Sequence, residues 1–146
     1  MPAEPARVLV VANRTATSPA LLDTIRRRAR GGAATFHLLI PAEPRGLHRV
    51  VDPEVAGRDK ARARLDAALP LLAEATGAPV AGSVGDADPT SAISDALQLQ
   101  GFDEIVISTL PRRLSGWLRL DLPSKAQGFG LPVVHVELEE PLTLAA

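Results

Sequence analysis

Short runs of branched apolar residues return along this chain at intervals that leave room for one helix between neighbours. "RVLVVA" (Arg7 to Ala12), "ATFHLLI" (Ala34 to Ile40), "DEIVIST" (Asp103 to Thr109) and "PVVHVEL" (Pro132 to Leu138) are such runs, and "PVAGSV" before the third helix is a weaker one. They are too short for helices and show little apolar–polar alternation, which is how strands buried on both faces read. Helical patterns fill the gaps. Ser18 and Pro19 open the first as N-cap and first helical residue. Leu21, Leu22, Ile25 and Ala29 form its apolar stripe, Arg26, Arg27, Arg28 and Arg30 load its C-terminal end, and Gly31-Gly32 stops it. A second runs from about Arg58 to Thr76, with Leu65, Ala68, Leu69 and Leu72 on one face, Pro70 expected to kink it and Gly77 to end it. Asp88-Pro89 caps a third that carries Ile93, Ala96 and Leu97 and closes at Gly101. A short helix is expected near Ser124 to Phe129, before the last strand.

The order βαβαβαβαβ predicts an α/β fold: one doubly wound, five-stranded, mostly parallel sheet with helices on both faces, Rossmann-like, joined by right-handed crossovers. At 146 residues the chain reads as a single domain over 1–146, with 139–146 ("EEPLTLAA") as a loose tail. Aromatics are only 3% of residues, so the core is expected to be aliphatic. A formal net charge of -1 argues against nucleic acid as a partner, since a polyanion is held by an excess of Lys and Arg. The chain has no cysteine for a disulfide or a thiolate, and no apolar run near 18 residues. These features, and a start unlike a signal peptide, place it as a cytoplasmic chain with no membrane contact.

Ligands of such sheets sit beyond the carboxyl ends of the strands, where strand order reverses. Here those ends are "ANRTATS", "LIPAEPRG", "VGDADP" and "ISTLPRR". Asn13, Arg14, Thr15, Thr17 and Ser18 suit a polar ligand contact or plain turn chemistry. Ser108, Thr109, Arg112, Arg113, Arg119 and Lys125 flank the next such end, where the arginines can fork onto phosphate or simply solvate the surface. Leu114, Trp117, Leu118 and Leu122 have roughly helical spacing, so Trp117 is read as a packing anchor in preference to a ligand-stacking ring. Asp121 is placed to cap the last helix, and a carboxylate there would repel an anion. Asp86 and Asp88 are read as turn and cap residues. His37, His48 and His135 lack metal spacing. His37 and His135 read as structural, whereas His48, with Arg45 and Arg49, lies in a long proline-broken connection that serves either as a lid or as a disordered link. No Walker A loop, G-x-G-x-x-G, G-x-S-x-G or H-E-x-x-H motif is present.

In the order of its elements nearly the whole chain resembles the universal stress proteins. "DEIVIST" looks like that family's fourth strand, "LPVVHV" like its closing strand, and "VGDADPTSAI" is similar to its turn into the third helix. ATP-binding members follow the fourth strand with G-x2-G-x9-G-[ST], whose glycines let amides wrap phosphates. Aligned on "DEIVIS", the first two glycine positions are Ser108 and Pro111, and the nearest equivalent of the final pair is Pro123-Ser124, two residues too far along. The acidic residue that members often place after the first strand is Asn13 here. The resemblance thus implies the fold, a role in stress response and a dimer habit, with degenerate or absent ATP binding.

The expectation is a non-enzymatic regulatory homodimer paired through Pro132 to Leu138, whose apolar edge a monomer would leave open. The alternative is a binder of a nucleotide such as ATP or AMP, or of another phosphorylated molecule, through Asn13, Thr15, Ser108, Thr109, Arg112, Arg113 and Ser124, or a weak nucleotide hydrolase using Ser108, Thr109 and the arginines. A third reading has Leu114 to Leu122 present Trp117 to a protein partner.

Overall fold

The computed structural model describes residues 4–42 and 53–139, with backbone alone for 53–56. Five parallel strands form one sheet in the order β3-β2-β1-β4-β5. They are β1 (Ala6–Val11), β2 (Ala34–Pro41), β3 (Ala81–Gly85), β4 (Glu104–Thr109) and β5 (Val133–Glu137). The chain winds outward from β1 to β3, returns, and winds outward again through β4 to β5. Strand order therefore reverses between β1 and β4, and the loops leaving those two strands diverge there.

Alternation along the strands divides the core between two faces. Val8, Val10, Leu38, Ile40 and Val106 face Leu21 and Ile25 of α1 (Pro19–Arg30) and Ala61, Leu65, Ala68 and Leu72 of α2 (Pro53–Thr76). Leu9, Val11, Leu39, Ile105 and Ile107 face Ala92, Ile93 and Ala96 of α3 (Pro89–Leu99) and Leu122 and Ala126 of α5 (Leu122–Gln127). Both faces of the central strands are covered, which is why the runs read as continuously apolar.

The helix starts follow their caps. Ser18 Oγ accepts the Leu21 amide at 3.2 Å, and an Asp88 carboxylate oxygen accepts those of the Ser91 amide and hydroxyl at 3.3 and 2.7 Å. Asp86 turns the chain into that cap by accepting the Asp88 amide at 2.8 Å. At the other end of α1, Arg28 forks onto Glu104 with contacts of 2.7 and 2.6 Å, tying the helix to the start of β4. That pairing raises the guanidinium's pKa and holds the Glu104 carboxyl below its usual value. α2 continues past Pro70 and ends at Gly77, whose φ of +75° is the left-handed stop that glycine adopts without strain.

The segment after β4 differs from its expected form. A single turn, α4 (Gly116–Arg119), precedes α5, and α5 begins at Leu122 instead of near Ser124. Ser115 starts α4 by accepting the Leu118 amide at 3.1 Å. Asp121 makes no side-chain cap bond. It takes a left-handed conformation, φ 57°, one that the short polar Asp side chain tolerates better than most, and so forms the corner between the helices. The expected loop carrying Arg45, His48 and Arg49, and most of the expected tail, lie outside the described residues.

Candidate functional site

The loops leaving β1 and β4 enclose a cleft of about 240 Å³ at the reversal of strand order, lined by residues 13–15, 108–110 and 114–117. Its floor carries a buried hydroxyl pair: Thr15 and Ser108, 2% and 1% exposed, with oxygens 2.6 Å apart. Each satisfies the other, as buried polar groups must. Asn13 is held on two sides: its amide donates to the Pro41 carbonyl at 3.0 Å, and its side-chain oxygen accepts from Arg64 of α2. That clamp fixes the ends of β1 and β2 relative to α2.

Thr109 Oγ1 lies 2.8 Å from His135 Nε2 on β5. Burial lowers the His135 pKa and Arg112 adds to the effect, while Glu137 opposes them, so the ring is neutral at pH 7. A hydroxyl beside a neutral imidazole is the start of a nucleophile–base pair. Here Thr109 is 2% exposed, and among the described residues none is hydrogen-bonded to the other ring nitrogen to orient it. The pair works as a tie between β4 and β5.

Of the seven candidate residues, the structure brings four together: Asn13, Thr15, Ser108 and Thr109 line the cleft. Arg112 and Arg113 line a separate open recess on the β5 side, with Pro111, Glu137, Leu138 and Glu139. Ser124 lies exposed in α5 and lines neither opening. The cleft instead gains Arg14, Leu110, Leu114, Ser115, Gly116 and Trp117. Arg14 was legible as a polar residue at the end of the first strand. Trp117 both lines the cleft and packs, half-buried, against the core beneath α3 and α5.

Most of the backbone after β4 is not free to cradle a phosphate, although the Gly116 and Trp117 amides at the cleft have no partner among the described residues. Pro111 has no N–H to give. The Arg112 amide donates to the Glu137 carboxylate at 3.1 Å, and those of Leu114, Ser115 and Leu118 to Asp121 are used within the loop and its short turns. Among the described residues no group of three His, Asp or Glu side chains is placed to hold a metal ion, and no helix is long and apolar enough to cross a membrane.

Solved structures match along almost the whole chain. A universal stress protein family member from Burkholderia pseudomallei superposes with a TM-score of 0.65 at 18% identity, covering 92% of this chain and 98% of its own. A universal stress protein in complex with cAMP gives 0.61 at 15%, over 92% and 98%. One from Arabidopsis thaliana with AMP bound gives 0.59 at 12%, over 97% of both chains. This chain has the universal stress protein fold. No protein-family model matches the sequence, and no curated protein does.

Proposed function

We propose that this universal stress protein-like domain is a non-enzymatic, cytoplasmic regulatory dimer with a role in stress response, and that its cleft binds a small adenine nucleotide. The observation that carries the ligand reading is the cleft itself, seated at the reversal of strand order with the Thr15–Ser108 pair as its floor. Two structures of the same fold are complexes with cAMP and with AMP, which supports that ligand class. The non-enzymatic reading rests on the cleft wall, where no carboxylate and no imidazole among the described residues is placed to serve as acid or base. The dimer reading rests on β5, an edge strand whose Val134 is 47% exposed on an otherwise aliphatic sheet.

Calorimetric titration of the folded protein with AMP, cAMP, ADP and ATP tests the ligand reading. Saturable heat without release of hydrolysis products is expected. No heat with any of the four would remove nucleotide binding, and steady conversion of ATP would make the chain an enzyme. Light scattering across micromolar concentrations tests the dimer, and a persistent monomer would sink it.

A second reading, a protein-partner surface over Leu114 to Leu122, draws on Leu114 and Leu120, which are 57% and 53% exposed. Trp117 is half-buried instead of being offered to solvent, so a partner would seat on the leucines first. Loss of a partner's binding on Leu120→Ser with nucleotide binding retained would favour this reading.

A further inference from the structure

Among the described residues the cleft wall carries one formal charge. Among the lining residues Arg14 is the only ionisable one apart from hydroxyls, it is exposed, and no hydrogen bond or ion pair joins its side chain to any described residue. The neighbouring recess is different in kind, because there Arg112 and Arg113 share the wall with Glu137 and Glu139. An anion entering the cleft meets one uncompensated guanidinium, and an anion entering the recess meets two carboxylates as well.

The remaining wall is largely apolar. Leu110, Leu114 and the half-buried indole of Trp117 present surface on which a flat ring can lie, as bases stack on aromatic side chains in single-strand binding proteins. The loop amides of Arg112, Leu114, Ser115 and Leu118 to Asp121 are committed to Glu137, to Ser115 or to carbonyls of the loop, which leaves those of Gly116 and Trp117 at the cleft wall, enough for one phosphate group. A volume of about 240 Å³ is also below the roughly 300–1,000 Å³ usual for ligand pockets.

Building on the nucleotide reading above, we propose that the cleft selects a nucleoside monophosphate over the corresponding triphosphate, with Arg14 taking the single phosphate and Trp117 the base. Arg14 and Trp117 set the specificity, and Arg112 does not contribute. A triphosphate brings further negative charge to a wall that offers one cation among the described residues, so its extra phosphates find no second guanidinium.

Trp117 is the only tryptophan in the chain, so its fluorescence reports the cleft directly. Adenosine, AMP and ATP are titrated against the wild type, Arg14→Ala, Arg14→Lys and Arg112→Ala. AMP is expected to shift the emission saturably and to bind about tenfold or more tighter than either adenosine or ATP, as one charge-assisted contact is worth. Arg14→Ala should bring AMP to the level of adenosine without changing adenosine, Arg14→Lys should restore part of the difference, and Arg112→Ala should change nothing. ATP binding as tightly as AMP, or an AMP preference that survives Arg14→Ala or is lost in Arg112→Ala, overturns the inference and leaves nucleotide binding intact. No saturable response to any of the three, with calorimetry also silent, overturns both.

Discussion

The two edges of the sheet are built to opposite purposes. β3 carries Gly82 and Gly85, and the helices press directly onto them. A Cβ at Gly82 would lie 2.5 Å from Leu65 Cδ1 and 3.0 Å from the Leu38 carbonyl oxygen, and one at Gly85 would lie 2.8 Å from Ala92 Cβ. β5 carries valines at 133, 134 and 136, and Val134 stands open to solvent. At β3 the protein's own helices cover the faces of the edge strand. Both outer ladders are unpaired among the described residues, but β5 also keeps a large apolar side chain on view, which is the state a second strand can complete. Each edge is also pinned to its inner neighbour by one histidine: His37 Nε2 lies 2.8 Å from Ser83 Oγ at the β3 edge, as His135 Nε2 does from Thr109 at the β5 edge.

The largest expected effect comes from forcing a side chain under the helices that cover β3. Gly82→Val should lower stability by about 1–3 kcal/mol through overpacking against Leu65 and the Leu38 backbone. A melting temperature unchanged from wild type would show that α2 does not press on β3. At the open edge, Val134→Lys should weaken the proposed dimer by about tenfold, roughly 1.4 kcal/mol, with little change in the monomer's own stability. Equal loss from both would mean that β5 is an ordinary packed strand.

The histidines sharpen the comparison by titration. Burial lowers the His37 pKa, with Arg7 adding to it, and burial likewise dominates at His135. In both, the folded value lies below the ordinary 6.5 of the unfolded chain, so the unfolded state binds the proton first. Stability from these groups is fully present above pH 6.5 and is lost as pH falls toward the depressed folded values. Denaturant melts between pH 7.5 and 5 should show this slope, and His37→Gln and His135→Gln should each remove a part of it. The smallest effect is expected from Glu137→Gln. Removing the charge that opposes the shift should move the His135 titration further down, by a fraction of a pH unit that NMR can follow.

The same contrast explains what the residues disclose of the fold. β1, β2 and β4 are legible because strands covered on both faces need apolar residues at successive positions of their buried stretch. β3 reads weakly because its neighbours leave no room for such side chains at 82 and 85, so tertiary crowding overrides strand propensity. The caps at Ser18 and Asp88 are local chemistry and are visible as such. The turn at Gly116 and the left-handed corner at Asp121 depend on how the segment lies over the sheet, and spacing alone does not reveal them. For the site, the hydroxyls at 15, 108 and 109 follow from their places at strand ends. Which arginine faces the cleft does not, because the carboxylate that engages the loop at Arg112 lies 25 residues away in β5.

The Thr15–Ser108 contact joins residues 93 positions apart. Its two halves meet only when β4 has docked beside β1, after β2, β3 and three helices have already been made. A chain emerging from synthesis N-terminus first therefore has no cleft until about three-quarters of it is in place. Any small molecule held there would recognise a sheet in which β4 has docked beside β1 and none of its precursors, and would stabilise the domain by mass action, more so as its concentration rises above its Kd. The floor of the cleft thus doubles as a record that β4 has joined β1.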